Sequence, residues 1–550
     1  MIHQDVQTTA LARLPGLVDS ISELFEPVEG AGLEELLLEH ARRKATIEST
    51  VGFFRSPEVT ECLRYFVRGS DVRDSYGVER MFTDDQMEHA LRALDADFWG
   101  QALKLTDVLS VMPAGRRDEW REQIHNLKVP PFTEDALRTT LAEHLASRHL
   151  YFAERVDGLF RALSPNHKTN IAAGFRSKMI LAGVTDGWWS SSSRMDALVD
   201  LRVVVGKFMG REDARGDLHM LTRKLVEKAQ AHNRGEWVRV DGGAIEIRVY
   251  QNGNCHIRVH EEIAWRLNAV LASKNPGAIP ESNRTRPAYT GKKKTYKKAT
   301  RELFTRPLPF PVLRVLSEFR QYGRETTWEY GYTWEQLDRH VRAEVGLVLG
   351  GLGGVKDDER LASMNGRWRF DYDVSDALRE VLASGTVPDQ RAHQYYPTPE
   401  GLAHRVVELA DVGEGDSVLE PSAGQGAIAD LLPGGRLKCV EASKLHCAVL
   451  RGKGHDVDEG DFLEWMPEPG KSPTRVVMNP PFDRRQWVDH MEHAAQVLSK
   501  EPGSRIVAIL PEGAPRRFEL PGFTLSWSPP VSGAFAGTSV SVVLLVATVA

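Results

Sequence analysis

Cysteine is scarce: Cys62, Cys255, Cys439 and Cys447 are the only four in 550 residues, and no two sit in a close pair. That scatter excludes a disulfide framework and a cysteine zinc site, and it fits a reducing compartment. His256 and His260 have no cysteine or carboxylate at matching spacing, so no metal is expected. Charge of one sign is also missing. Lys and Arg number 70 against 76 Asp and Glu, a formal net charge of −6. This excludes a generally basic protein and leaves room for a local basic surface. Long apolar runs are absent. The longest, Val540–Ala550, is too short to span a bilayer and is rich in β-branched residues, so it reads as a buried strand. Met1–Ala10 lacks the basic start and apolar core of a signal peptide. A soluble, cytoplasmic protein without membrane contact is expected. Gly350–Gly354 is followed by no Gly-Lys-Ser/Thr, which excludes a triphosphate cradle and leaves a hinge. No Pro-Asp followed by Glu-x-Lys lies in a strand context, so a fused nuclease is not expected.

Length predicts several domains. Residues 1–235 read as mainly helical: Leu33, Leu36, Leu37 and His40 recur at helical spacing, and 87–110 and 134–164 repeat the style. Within this region, Ser164-Pro165-Asn166-His167-Lys168-Thr169-Asn170 and Phe175-Arg176-Ser177-Lys178 read as a capped turn or as a phosphate-contacting edge. Residues 236–275 change pattern. Trp237–Val240, Ile245–Tyr250 and Cys255–His260 alternate as strands do, and Asn252-Gly253 signals a hairpin. Arg248, His256, Arg258 and His260 stand out on the strand faces, and a helix begins near Glu261.

Residues 276–390 read as a basic segment and a helical linker region. Arg284 to Arg306 holds nine Lys/Arg against one acid, Glu302, with Tyr289, Tyr296 and Phe304 interleaved. Such a run attracts phosphates by counterion release, and its rings can stack on unpaired bases. Lys292, Lys293, Lys294, Lys297, Lys298 and Arg301 are the candidate nucleic-acid contacts; a solvated linker is the alternative. Helical structure is expected over 307–345, with Trp328, Tyr330, Tyr332 and Trp334 more often core than platform.

From residue 391 strands and helices alternate. Val418-Leu419 ends a strand, and Glu420-Pro421-Ser422-Ala423-Gly424-Gln425-Gly426 turns into a predicted helix over Ala427–Leu432. A glycine-rich turn lets a cofactor approach the backbone, and an acid ending the next strand, here Glu441, can hold ribose hydroxyls. Asp461 and Phe462 end a third unit, where an acid and a ring can bind and stack on an adenine. Val476-Val477-Met478 runs into Asn479-Pro480-Pro481-Phe482. Two prolines remove amide donors and leave carbonyls to accept hydrogen bonds, Asn479 adds a side-chain carbonyl, and Phe482 adds a flat ring. That set can grip an exocyclic amino group and stack on its base.

On these motifs, residues 391–550 resemble an amino-type DNA methyltransferase of the adenine-N6 class and gamma group. Tyr396-Pro397-Thr398-Pro399 resembles the motif preceding the glycine-rich loop, Glu420–Gly426 the loop, Asp461-Phe462 the adenine contact and Asn479–Phe482 the catalytic tetrapeptide. Gly537-Thr538-Ser539-Val540 resembles the closing segment. The chain therefore reads as multidomain: an α-rich N-terminal region with a small β-hairpin subdomain, by its periodicities, then, as the resemblance implies, an α/β Rossmann-like class I methyltransferase. The resemblance also implies S-adenosylmethionine as cofactor, held by Tyr396, Pro397, Thr398, Glu420, Pro421, Ser422, Ala423, Gly424, Gly426, Glu441, Asp461 and Phe462. It implies Asn479, Pro480, Pro481 and Phe482 as catalytic residues, and double-stranded DNA with a flipped target adenine as partner. Cytosine-N4, RNA adenine, a protein glutamine, or a non-catalytic DNA-binding regulator retaining the fold remain alternatives. About fifty residues follow Ser499, so target recognition is expected from the first 390 residues. Residues 60–270 resemble an uncharacterised helical domain preceding such enzymes in phage- and prophage-type proteins, on His167–Asn170 and Asn252-Gly253-Asn254. A bacterial or phage-infected host cytoplasm is expected, and restriction-modification, anti-restriction, defence and regulation remain alternative settings.

Overall fold

Threonines preceding paired acids start two of the N-terminal helices. Thr83 and Thr133 accept from Gln86 N and Ala136 N, each at 3.3 Å, with Asp84-Asp85 and Glu134-Asp135 in the first turns that follow. Such caps satisfy orphan amides and place negative charge at the positive end of the helix. These features come from a computed structural model that describes residues 31–69, 82–106, 108–163, 167, 169–185, 192–211, 216–231, 235–274, 277–286, 307–323, 326–387, 396–433, 436–482, 485–533, 535 and 540–549. The chain divides into two units, one of residues 16–237 and 245–288, the other holding 238–244 and 289–550.

The first unit begins with α1 (Ala31–Arg55), α2 (Pro57–Gly69), α3 (Asp84–Lys104), α4 (Ala114–His125), α5 (Glu134–Ala146) and α6 (Arg148–Ala162). The predicted helical stretches thus fold as helices, with a break between α5 and α6 at Ser147. Phe98, Trp99, Ala102, Leu103, Phe132, Leu137 and Leu141 form a core, and His40 of α1 bonds Asp95 Oδ1 at 2.7 Å beside it. Next come β1 (Lys178–Leu181), α7 (Ser192–Phe208), α8 (Asp217–Ala231), β2 (Ile245–Val249), β3 (Cys255–Val259) and α9 (Glu261–Lys274). β3 lies between β1 and β2, antiparallel to both. Gly253 makes the β2–β3 turn at φ +77°, where a Cβ would fall 1.8 Å from Thr185 O, so only glycine fits.

In the second unit, α10 (Phe310–Glu318) is followed by an antiparallel sheet of β4 (Arg320–Gln321), β5 (Thr327–Glu329), β6 (Val355–Lys356) and β7 (Trp368–Arg369). The purely helical expectation for 307–345 is therefore corrected. The β-favouring run Thr326-Thr327-Trp328-Glu329 pairs with β7, a partner some forty residues away. Of the aromatic patch, Trp334 is buried and Tyr332 is 77% exposed. Gly350 and Gly351 belong to the end of α11 (Arg339–Gly351), not to a free hinge, and α12 (Ser375–Ser384) follows.

The C-terminal part is α13 (Glu400–Ala410), β8 (Val418–Pro421), β9 (Leu437–Glu441), α14 (Lys444–Gly452), β10 (Asp456–Glu459), β11 (Arg475–Met478), α15 (Gln486–Val497), β12 (Arg505–Pro511), β13 (Phe523–Trp527) and β14 (Val542–Val549). Its seven strands lie in the order β10-β9-β8-β11-β12-β14-β13; β14 runs antiparallel to both neighbours and the strands from β10 to β12 are parallel. This is a doubly wound α/β sheet whose direction of winding reverses between β8 and β11. Both faces are covered, which is why β11 and β12 are almost wholly apolar. The helix expected over Ala427–Leu432 is a single 3-10 turn, Ala429–Leu431, because Pro433 follows at once and leaves too few residues for an α-helix.

Candidate active site

Parallel register sets the strand ends level. Val440 pairs with Pro421 and Asp458, Glu441 with Glu459, and Val476 with Leu419. Glu420, Glu441, Asp461 and Asn479 therefore gather along one edge, the carboxyl edge, with Glu420 and Asn479 flanking the switch point. Open α/β sheets place their ligand crevice there.

The loop after β8 is held open by unusual backbone. Ser422, Gly424 and Gly426 all have positive φ (58°, 58° and 90°). A Cβ at Gly426 would meet Leu450 Cδ2 at 3.0 Å and Asp430 Oδ1 at 3.1 Å. Ser422 N donates to Val440 O at 2.8 Å, and Gly424 N donates to Glu441 Oε2 at 2.8 Å. Glu441 Oε1 also accepts from Ser443 N at 2.7 Å. Burial pushes this carboxyl up, but the His446 side chain and the two amides outweigh it and hold Glu441 below the usual carboxylate range. It stays a charged clamp on the loop.

Glu420 behaves oppositely. It is 3% exposed, and its Oε2 is buried with no hydrogen-bond partner. Burial, reinforced by the Asp430 and Glu441 charges, raises its pKa well above the ordinary value. A buried acid with an unused oxygen beside a glycine-rich loop has the chemistry to pair with a cationic group once ionised.

Asn479 is oriented by Thr398. Its Nδ2 donates to Thr398 Oγ1 at 3.1 Å, which leaves Oδ1 as the side-chain atom that can accept. Tyr396-Pro397-Thr398-Pro399 and the tetrapeptide, eighty residues apart in sequence, are thus joined. Pro480 is buried, Pro481 half-buried, and the Phe482 ring packs on the cores of both sheet faces. Tyr396 is exposed, with its ring 6.4 Å from that of Phe535. Asp461 Oδ1 accepts from Leu463 N at 2.9 Å. Phe462 is 3% exposed and lies against His493 and His490, with ring centroids 4.8 and 5.5 Å away. Pro421 and Ala423 are buried in the loop. Lys292, Lys293, Lys294, Lys297, Lys298 and Arg301, and Gly537–Ser539, lie outside the described residues.

Sequence reasoning missed the brace behind the loop. Gln425 Nε2 donates to Gly351 O at 2.9 Å, using a carbonyl that the end of α11 leaves unpaired. Lys453 Nζ donates to Gln425 O at 3.1 Å and pairs with Asp430, whose other oxygen meets His455 Nε2 at 2.7 Å. Gly452 lets Tyr372 close in, since a Cβ there would fall 2.6 Å from its ring. Only the glycines of 350–354 signalled anything in the sequence. Among the described residues no cluster of His, Cys, Asp or Glu could hold a metal, and no helix is long and apolar enough to cross a membrane.

Comparison with known proteins adds three findings. Residues 91–277 match a family described as a domain of unknown function (DUF4942). Ribosomal RNA small subunit methyltransferase A of Synechococcus sp. (strain CC9605) is 31% identical over 110 residues, 18% of this chain and 40% of that protein. The chain thus spans well under half the length of this curated relative. Among solved structures, TrmN from Thermus thermophilus is 22% identical over 27% of this chain and 48% of that one, with a TM-score of 0.23. An RNA methyltransferase from Salinibacter ruber in complex with S-adenosyl-L-homocysteine is 21% identical over 28% of this chain and 93% of that one, with a TM-score of 0.21.

Proposed function

We propose that this chain is an S-adenosylmethionine-dependent methyltransferase that modifies the N6 amino group of adenine in DNA. The observation that carries the proposal is the Thr398–Asn479 hydrogen bond, which fixes an amide carbonyl at the switch point of a doubly wound sheet. Glu420 supplies the fit for the cofactor: its unpartnered buried oxygen suits the ammonium of the methionine end, to which Thr398 is also assigned. Tyr396, Pro397 and the loop residues Pro421, Ser422, Ala423, Gly424 and Gly426 line the same end, Glu441 holds the ribose, and Asp461 with Phe462 takes the adenine. When bound, the cofactor supplies an electrophilic methyl group on a sulfonium.

The target amine is a poor nucleophile because its lone pair is delocalised into the ring. Asn479 Oδ1 and the Pro480 carbonyl accept its two N–H bonds and favour a tetrahedral nitrogen. Fixed dipoles then stabilise the positive charge that develops there. Phe482 stacks on the base, which leaves the duplex to reach the pocket. Holding nitrogen, methyl and sulfur in line supplies the orientation. The residues before 391, with the Lys292–Arg301 run, supply DNA binding and target selection. RNA adenine is a second reading, supported by the 31% identity to a ribosomal RNA methyltransferase.

Both readings are tested by incubating the protein with labelled cofactor and unmethylated DNA or RNA, then separating the nucleosides. Label in N6-methyladenine of DNA is expected, falling about 10²- to 10³-fold in Asn479→Ala. Label confined to RNA replaces the first reading with the second, and label in neither overturns both.

A further inference from the structure

One face of the antiparallel sheet in the first unit is apolar and buried: Met179, Leu181, Ile245, Ile247, Val249, Cys255, Ile257 and Val259 face the core. The opposite face is different. Directly paired residues share a face in an antiparallel ladder. Lys178, Arg258 and Glu246 form one row across β1, β3 and β2, and Ile180, His256 and Arg248 form the next. Lys178 is exposed, and Arg258 keeps 38% of its side chain accessible. The rows carry three full cations and an imidazole against one acid, Glu246, which lies 3.4 Å from Arg258.

Aromatic rings organise the arginines. Arg258 lies over Trp237 at 3.8 Å from the ring centroid, and Arg248 lies over the same ring at 5.4 Å and over Tyr250 at 5.9 Å. A guanidinium stacked on a ring is held flat, which removes much of the entropy cost of binding an anion. The Nε atoms of both arginines are buried without a hydrogen-bond partner, so an anion would meet the terminal nitrogens of the guanidinium groups. Positive potential is concentrated there: beyond burial, His167 and Arg248 help to push His256 below the ordinary imidazole range. Such an excess is maintained in a chain that is acidic overall.

We infer that this sheet face, built from Lys178, Arg248, His256 and Arg258 around Trp237, is a docking surface for the phosphate backbone of duplex DNA. The choice of DNA over another polyanion rests on the function proposed above. The complementarity of the face to phosphates rests on its excess of positive charge and its ladder register. Contacts of this kind position a duplex without reading its sequence. The face falls within residues 91–277, so it assigns a role to the domain of unknown function.

The test is fluorescence anisotropy of a labelled short duplex with the full-length protein, without cofactor, over a range of salt concentrations. Replacing both arginines (Arg248→Gln with Arg258→Gln) should weaken binding at low salt at least about tenfold and flatten the log–log salt slope by about 2. Lys178→Gln, an exposed change that leaves the sheet intact, should flatten it by about 1. Glu246→Gln should tighten binding, an effect that misfolding cannot produce. Unchanged affinity and slope in the double variant, together with no gain in Glu246→Gln, overturn the inference. Binding of polyglutamate but not of duplex overturns it in favour of an acidic protein partner. Methyl transfer is read in parallel. Duplex binding through this face with label only on RNA upholds the inference and removes the DNA-adenine reading. DNA methylation unaltered in the double variant does the reverse.

Discussion

Glu420 faces two opposing demands. Folding buries it beside Asp430 and Glu441, which favours the neutral acid, whereas a cationic ligand needs the carboxylate. Because its folded pKa is raised above the unfolded value near 4.5, its contribution to stability is complete below that value and is lost as pH rises through the folded pKa. Glu420→Gln removes that loss, so the variant should melt higher than the native protein by a margin that grows from pH 5 to pH 8. Cofactor binding runs the other way. Pairing with an ammonium ionises Glu420, so binding should release a proton and strengthen with pH. Calorimetry in buffers of different ionisation enthalpy measures that release; a value of zero, with affinity flat in pH, would rule out Glu420 as the receptor. Glu441, held charged by His446 and two amides, should contribute nothing to this release near neutrality.

Elements in this protein are secured by side chains that imitate backbone. Asn268 of α9 is buried, accepts from Phe175 N at 2.7 Å, and donates to Phe175 O and Asn283 O, each at 3.0 Å. Gly174 leaves room for it, since a Cβ there would fall 2.4 Å from Asn268 Oδ1. Asn268→Ala orphans two buried backbone groups of Phe175 and a half-buried one of Asn283, and should cost about 3 kcal/mol in denaturant unfolding; a loss under about 1 kcal/mol would show that water replaces the amide. Asn170 does the same for the edge of β1, exchanging two hydrogen bonds with Ile180. Asn268 could not be read from sequence, and Asn170, read there within a capped turn or phosphate-contacting edge, bonds the Ile180 backbone, because both partners are set by tertiary approach and not by periodicity. Local chemistry was legible. Asn252-Gly253 turns the β2–β3 hairpin, and apolar runs mark β8, β9, β11 and β14 where they fall. β1 and the four short strands between 320 and 369 were not, since each is two to four residues long and exists through a distant partner.

At the scale of the whole molecule, the carboxyl edge of one sheet collects residues from four separate stretches, and their common order along the chain made that collection legible. The brace of Lys453, Asp430, His455 and Gln425 was not legible, because surface charges at such spacing ordinarily face solvent. Charge divides the functions in the same way. A chain of net charge −6 repels a polyanion at long range, so any affinity for DNA has to come from local excess such as the nine basic residues between 284 and 306. The cofactor ammonium proposed above, by contrast, would pair with a buried carboxyl, that of Glu420. Raising salt from about 50 to 200 mM should therefore raise the KM for DNA steeply, with a log–log slope of about 5 or more if six phosphates are neutralised. Cofactor affinity over the same range should change by less than about twofold, because buried pairs are little screened. Steady-state rates at fixed saturating cofactor, with cofactor affinity measured separately, distinguish the two dependences. A KM indifferent to salt would remove the electrostatic account of substrate binding and shift recognition to base contacts within the pocket.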